Sequence, residues 1–165
     1  MVGQSGATVA GELGAGGIRG AVQARVAQIA TLPATTGLRR EQIRAQVALA
    51  NALMTIKGYA APETKAALEL ARKLIEQAEA LGEPPEDPLL VFSVLYGVWG
   101  VDRIAVNGDA MRDLSAQFLA LASKQSATVP LMNGHRIVGV SLLLTGDISE
   151  GRESLDRAIT LYDPV

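Results

Sequence analysis

The chain has 165 residues, 48% apolar and only 4% aromatic, with 15 basic against 17 acidic side chains and no cysteine. The lack of cysteine excludes disulfides, thiolate metal ligands and cysteine nucleophiles, and the balanced charge without a Lys/Arg cluster argues against a nucleic-acid partner. A core that must be built from Ala, Leu, Val and Ile favours closely packed helices over a β-sandwich.

The amino-terminal part is predicted to be poorly structured. Residues 1–20 hold seven of the seventeen glycines and little apolar surface, which predicts a flexible glycine-rich leader. No basic region is followed by a continuous apolar run, so we expect no signal peptide and a cytoplasmic location. Residues 21–37 are predicted as a partial helix and linker, because a short apolar stripe ends near Pro33 and Gly37. The stripe consists of Ile18, Val22, Val26 and Ile29.

From Leu38 onward, apolar residues at helical spacing predict helices that come in pairs. The first pair runs from Leu38 to Lys57 and from Pro62 to Leu81. Gly58 is predicted as a left-handed stop, and Pro62 suits the first turn of a helix.

Residues 89–101, LLVFSVLYGVWGV, contain no charged side chain. Taken alone, this stretch could be a buried strand, and it is too short for a membrane span. Helical segments on both sides favour a fully buried central helix instead.

One further helix, which completes the second pair, and a third pair complete the chain. Asn107-Gly108-Asp109 is predicted as a stop and a new cap, followed by a helix with an apolar stripe. The third pair begins with a helix from Leu131 to Leu144, and Asp147 with Glu150 predicts a capping box for its second helix. The predicted turn glycines, Gly58, Gly108 and Gly146, lie 50 and then 38 positions apart.

The spacing of residues from His135 to Val165 resembles one unit of the tetratricopeptide repeat. The resemblance implies that Gly139 and Gly151 stand where two helices cross, and that Leu155 and Ala158 pack the second helix onto its neighbours. In the second pair, Gly100 or Val101 takes the place of Gly139. The implied fold is all-α. It is a tetratricopeptide-like right-handed stack of antiparallel helix hairpins over residues 38–165, with about three pairs plus the partial amino-terminal helix.

The same resemblance implies a concave groove lined by the first helix of each pair. In the third pair the groove residues are Asn133, Arg136, Val140 and Leu143. Their counterparts are Ala45, Ala48, Ala52 and Thr55 in the first pair, and Val94, Gly97, Val101 and Ile104, or the residues one later, in the second. Such a groove would be mostly apolar and would suit a partner helix or peptide. The last helix has no following unit to cover it, so self-association through open repeat ends is expected.

Four stretches resemble one bacterial family more closely. They are LRREQIRAQVALANALM, KGYAAPETKAALELARKLIEQAEALGEPPEDPLL, FSVLYGVW and GHRIVGVSLLLTGDISEGRESLDRAITLYDP. They are similar to the carboxy-terminal helical-repeat region of large rhizobial adenylate/guanylate cyclase proteins, in which a nucleotide cyclase domain and an AAA-type ATPase domain precede the repeats. The resemblance implies that this chain is a fragment of such a protein. Neither activity transfers, because the chain lacks G-x-x-x-x-G-K and resembles neither domain.

The sequence therefore predicts a non-catalytic helical-repeat interaction or scaffold module, part of a nucleotide-cyclase/ATPase signalling protein. The alternative is a free-standing adaptor that binds a peptide or helix in its groove. Expected partners are a protein, a peptide or neighbouring domains, with no nucleic acid, membrane, cofactor or metal. An enzyme is disfavoured, because the single histidine, His135, has no nearby serine or carboxylate to form a triad, and its repeat position predicts packing within a helix pair.

Overall fold

The computed structural model describes residues 17, 20–25, 27–28, 35–83, 85, 87–125 and 127–162. This part of the chain contains helices and short turns and no strand, which confirms the all-α class. Its six long helices are α1 (Thr36–Lys57), α2 (Pro62–Ala80), α3 (Pro88–Ile104), α4 (Gly108–Gln125), α5 (Thr128–Leu144) and α6 (Ile148–Thr160). The chain divides into two compact units, Met1–Val94 and Leu95–Val165.

The amino-terminal predictions are tested only in part. Most of the predicted glycine-rich leader lies outside the described residues, as do Ile18, Val26 and Ile29 of the predicted apolar stripe. Residues 20–25 are helical, and Val22 is half-buried.

In the first unit, α1 and α2 form a hairpin. Thr35 caps α1 by accepting a hydrogen bond from the Leu38 amide at 3.3 Å, so the helix begins two residues earlier than predicted. Gly58, with φ of 79°, ends α1 as predicted. The buried side chain of Gln46 donates to the Ala67 carbonyl at 3.1 Å and ties the two helices together. Between the helices lie the buried apolar side chains Ile43, Val47, Ala50, Leu53, Leu68, Ala71, Ile75 and Ala78.

Glu83, which follows α2, binds the beginning of α1. Its carboxylate accepts a hydrogen bond from the Thr36 hydroxyl at 2.7 Å and two from the Arg39 guanidinium at 2.9 and 3.0 Å. The Thr36 hydrogen bond, followed by those from Arg39, holds the pKa of Glu83 below its usual range. The start of α1 is thereby joined to the residue that follows the last turn of α2.

The uncharged stretch at residues 89–101 is a helix, as predicted, and forms most of α3. Asp87 begins it by accepting a hydrogen bond from the Leu89 amide at 2.9 Å. The expectation of full burial is wrong, because Leu89 is 62% exposed while Phe92 and Trp99 are buried. At 3.6 residues per turn, an apolar stretch of this length still turns part of its surface outward when neighbours cover one side.

The turns after α3 and α5 share a backbone hydrogen-bond pattern at a displacement of 40 residues. The amide of Asn107 donates to the Asp102 carbonyl at 3.0 Å, and the amide of Asp147 donates to the Leu142 carbonyl at 2.9 Å. The residues in the left-handed region are Val106, with φ of 56°, and Gly146, with φ of 98°. Both turns are therefore helix ends closed by a hydrogen bond to a carbonyl five residues back.

This correspondence corrects the predicted second turn. Gly108 does not occupy the left-handed position but begins α4, and a Cβ atom there would lie 2.7 Å from Thr145 Cγ2. Glycine stands at this position because another side chain approaches closely, which the sequence pattern could not distinguish from a turn. The counterpart of Gly139 is consequently Trp99, and not Gly100 or Val101, and the counterpart of Gly151 is Met111.

Val106→Gly is expected to stabilise the protein. A β-branched residue in the left-handed region costs about 1–2 kcal/mol, and the Val106 side chain is 80% exposed, so little packing is lost with it. We expect the free energy of unfolding in urea to rise by about 1 kcal/mol. Val129→Gly is the matched control, because Val129 is also exposed but helical, and its replacement should lower stability slightly. Destabilisation by Val106→Gly would contradict the prediction.

Candidate functional site

Two glycines face each other where α5 crosses α6 in the second unit. A Cβ atom on Gly139 would lie 2.8 Å from the Gly151 carbonyl oxygen and 2.7 Å from Leu155 Cγ. A Cβ atom on Gly151 would lie 3.0 Å from the Gly139 carbonyl oxygen and 2.9 Å from Leu143 Cγ. Ala158 is buried and Leu155 is half-buried on the α6 side. The two helix backbones touch here because neither glycine has a side chain.

The turn between α5 and α6 is held by α4. Arg112 pairs with the carboxylate of Asp147, and its Nε donates to Thr145 Oγ1 at 2.8 Å. The capping box predicted from Asp147 and Glu150 is absent, since Asp147 precedes α6 but makes no side-chain cap hydrogen bond. The charged Arg112 donors offer the carboxylate a stronger bond than a neutral backbone amide would.

Trp99 is anchored in the interior of the second unit. Its indole nitrogen donates to Ser141 Oγ at 2.9 Å, and the Ser141 hydroxyl donates to the Ile137 carbonyl at 2.8 Å. Trp99 is 4% exposed, and Ser141 and Ile137 are fully buried. The hydrogen bond satisfies the one polar atom of a large apolar side chain and so fixes where α3 lies against α5.

An arginine–aromatic cluster, made of Tyr96, Trp99, Arg103, Asn133 and Arg136, lies next to this anchor. The Arg136 guanidinium is 5.5 Å from the centre of the Tyr96 ring, and its Nη2 donates to Tyr96 Oη at 3.1 Å and to Asn133 Oδ1 at 3.3 Å. The Tyr96 and Trp99 rings are 5.6 Å apart, and the Arg103 guanidinium is 5.6 Å from the Trp99 ring. Both arginines are exposed. The cluster therefore presents two cations, each oriented by an aromatic ring.

The predicted groove residues of α5 have different surroundings. Asn133 and Arg136 belong to the arginine–aromatic cluster, Val140 is half-buried, and Leu143 packs against Gly151. Of the predicted groove residues on α1, Ala48 and Thr55 are exposed, Ala52 is half-buried and Ala45 is buried. This α5 face is polar at Asn133 and Arg136 and apolar at Val140 and Leu143, and the concave groove stays a prediction.

On α3, the predicted groove positions differ in burial. Val94 and Gly97 are buried, and Val101 is half-buried. At the 40-residue displacement, Tyr96 and Arg103 correspond to Arg136 and Leu143 of α5, and Arg136 also contacts Tyr96. The sequence analysis missed both residues; the pairing of Tyr96 with Arg136 at a 40-residue interval was a signal for the first, and Arg103, which corresponds to Leu143, left no such signal.

His135 is half-buried beside the α5–α6 crossing, and its Nδ1 is buried without a hydrogen-bond partner. Desolvation lowers the pKa of His135 below its ordinary value, and the positive charge of Arg157 on α6 lowers it further. A neutral imidazole in this position fits a packing role.

The His135 environment predicts a pH-dependent stability. Because its pKa is lower in the folded than in the unfolded chain, its contribution is fully present above about pH 6.5 and declines as the pH falls toward the folded pKa. We expect the free energy of unfolding to decrease between about pH 7.5 and pH 5.5. His135 is the only histidine, so His135→Gln should flatten that slope. An equal slope in the variant, measured by urea denaturation, would refute the assignment.

The rest of the described chain offers few alternatives for a chemical site. Among these residues, no group of three or more His, Cys, Asp or Glu side chains is placed to hold a metal ion. No helix in the described ranges combines the length and apolar character that crossing a membrane requires. The first unit has a shallow recess lined by Arg40, Ile43, Arg44, Pro85 and Leu90.

Comparison of the chain with protein-family models, with curated proteins and with solved structures finds no significant match. A functional proposal therefore depends on the described geometry and on the sequence resemblances. Within the described geometry, the arginine–aromatic cluster is the surface feature with the most distinctive chemistry.

Proposed function

We propose that this chain is a non-catalytic helical-repeat interaction module whose hairpins form a tetratricopeptide-like right-handed stack. Two features support the proposal. The backbones of α5 and α6 touch at Gly139 and Gly151, and the turns of the second unit recur at a displacement of 40 residues. Such recurrence is typical of proteins that stack similar hairpins and use an extended surface for binding. The proposal assigns no catalytic residue, cofactor or metal.

The arginine–aromatic cluster is the proposed binding surface, and the observation that carries this assignment is the held position of Arg136. Tyr96 Oη and Asn133 Oδ1 both accept from Nη2, which leaves other guanidinium donors available at an exposed site. A guanidinium fixed in this way loses less freedom on pairing with a carboxylate than an unrestrained side chain would. Val140, one turn further along α5, adds apolar surface. The proposed ligand is a peptide segment that carries a carboxylate next to an apolar side chain.

Selection of random twelve-residue peptides displayed on phage against the full chain tests this assignment. We expect the enriched peptides to contain Asp or Glu beside a large apolar residue. Arg136→Ala should weaken their binding about tenfold or more, because it removes a charge-assisted hydrogen bond. Arg152→Ala is the matched control, since it removes the same charge from α6 and should leave affinity unchanged. Equal losses in both variants, or enrichment without acidic residues, would count against the assignment.

We further propose that the module acts in the cytoplasm as part of a nucleotide-cyclase/ATPase signalling protein. The support is the resemblance of four long sequence stretches to the helical-repeat region of such proteins. An immunoblot of source cells, with an antibody raised against residues 38–165, tests the proposal. A band several times larger than 17.2 kDa is expected. A single band near that mass would instead favour a free-standing adaptor.

A further inference from the structure

Arg103 and Arg136 have aromatic rings as neighbours and no acidic partner. Within the described part of the chain neither forms an ion pair, whereas Arg112 of the same unit pairs with Asp147. Both side chains are exposed, and a guanidinium keeps its charge and has several N–H donors to offer. A carboxylate that approaches either arginine would therefore meet no internal acid that competes for it.

The two guanidinium groups lie against neighbouring rings on one face of α3. Tyr96, Trp99 and Arg103 follow one another at steps of three and four residues, so they share a face of the helix. The Tyr96 and Trp99 rings are 5.6 Å apart, with Arg136 over the first and Arg103 over the second. The rise along α3 from Tyr96 to Arg103 is about 10 Å, which sets the scale of the spacing between the two charges.

The rings orient the arginines and offer little surface to a ligand. Trp99 is 4% exposed, and Tyr96 is half-buried with Arg136 over its ring. Nucleic-acid bases bind to proteins by stacking on open aromatic rings. The cluster thus presents its charges and not its rings, which favours the carboxylates of a peptide over a base.

We propose that Arg103 is a second carboxylate site of the arginine–aromatic cluster, and that the cluster recognises a peptide segment with two acidic side chains three residues apart. In a polyproline-II-like peptide, side chains at this interval face the same way about 9 Å apart, which matches the scale of the two charges. Arg136 would receive one carboxylate and Arg103 the other. This inference rests on the proposed peptide binding and adds to it a specificity-determining residue and a spacing of charges.

The amino-terminal and proline-rich segments of the chain do not supply such a ligand. Residues 1–34 contain a single acidic side chain, Glu12, and so cannot provide two carboxylates. Glu83 and Glu86 have the required spacing in the sequence, but the Glu83 carboxylate is already bound by Arg39. The ligand is therefore expected to be a separate acidic segment.

Two matched twelve-residue peptides test the proposal. Each has acetylated and amidated ends, one Leu beside a Glu, and a background of Ser and Pro; one has a second Glu three positions from the first, and the other has Gln there. Isothermal titration calorimetry with the full chain at low ionic strength, where such pairing is strongest, measures Kd. We expect the doubly acidic peptide to bind about fivefold more tightly, as an exposed charge pair would contribute.

Arg103→Gln is the decisive variant. It should reduce the gain from the second Glu to less than about twofold and leave the affinity of the singly acidic peptide unchanged. Arg152→Gln, which removes the same charge from α6, is the matched control and should keep the full gain. An undiminished gain in Arg103→Gln would overturn the proposal, and so would tighter binding of an oligothymidylate than of the doubly acidic peptide.

Two further variants separate this inference from the proposed function and from occupancy by the chain itself. If neither peptide binds, or if Arg136→Ala leaves both affinities unchanged, the proposed function fails and this inference with it. An undiminished gain in Arg103→Gln, with the loss in Arg136→Ala intact, refutes the second site alone. Glu12→Gln should leave both affinities unchanged, because a several-fold increase would mean that residues 1–34 occupy the cluster in place of a separate segment.

Discussion

Trp99→Ala is expected to lower the free energy of unfolding by about 4 kcal/mol. The side chain is almost fully buried, so its removal leaves a large cavity between α3, α4 and α5 that the surrounding helices cannot fill completely. Urea denaturation followed by circular dichroism would measure the effect.

Trp99→Phe serves as the control for this substitution. Phenylalanine keeps most of the buried apolar area but cannot donate to Ser141, whose own hydroxyl still donates to the Ile137 carbonyl. We expect a smaller loss, about 1–2 kcal/mol, from the missing hydrogen bond and the reduced volume. A loss below about 1 kcal/mol for Trp99→Ala would mean that Trp99 is not a principal packing residue of the second unit.

Gly139→Ala is expected to destabilise the protein by about 2 kcal/mol. The new methyl group would lie 2.8 Å from the Gly151 carbonyl oxygen, which cannot rotate away as a side chain can, and 2.7 Å from Leu155 Cγ. The helices would have to separate locally, which outweighs the gain of about 1 kcal/mol that alanine ordinarily brings to a helix.

Gly37→Ala is the matched control for Gly139→Ala. Gly37 lies in the first turn of α1, and a Cβ atom there would meet nothing within 4 Å. We expect Gly37→Ala to raise the free energy of unfolding by about 0.5–1 kcal/mol through helix propensity alone. Gains of equal size at both positions, in thermal or urea denaturation, would disprove the close crossing.

The helices could be predicted from the sequence because each has a long apolar stripe and recognisable end signals. The stops at Gly58 and Gly146 were predicted correctly, because a positive φ at the end of a helix favours glycine. The stop at Val106 was missed, because a β-branched residue is not expected in that conformation. Because the stop at Val106 was not predicted, the alignment of the second pair with the third was shifted. The counterpart of Gly139 was therefore placed at Gly100 or Val101 instead of Trp99.

Of the arginine–aromatic cluster, the sequence predicted only the two residues on α5. The repeat spacing pointed to Asn133 and Arg136, but their partner Tyr96 lies 40 residues from Arg136, and no local pattern connects the two. The capping role expected for Asp147 failed for a similar reason, since the competing Arg112 comes from another helix. Side-chain pairings between helices depend on register, which a local pattern leaves undetermined.

The position of Trp99 has a practical consequence. It is the only tryptophan of the chain, and it lies between Tyr96 and Arg103 while its indole nitrogen is fixed by Ser141. A ligand that draws either arginine away from its ring would alter the electric field at the indole and hence the wavelength or intensity of its emission. The molecule thus contains its own optical reporter at the arginine–aromatic cluster, and ligand titrations could be followed without any attached dye.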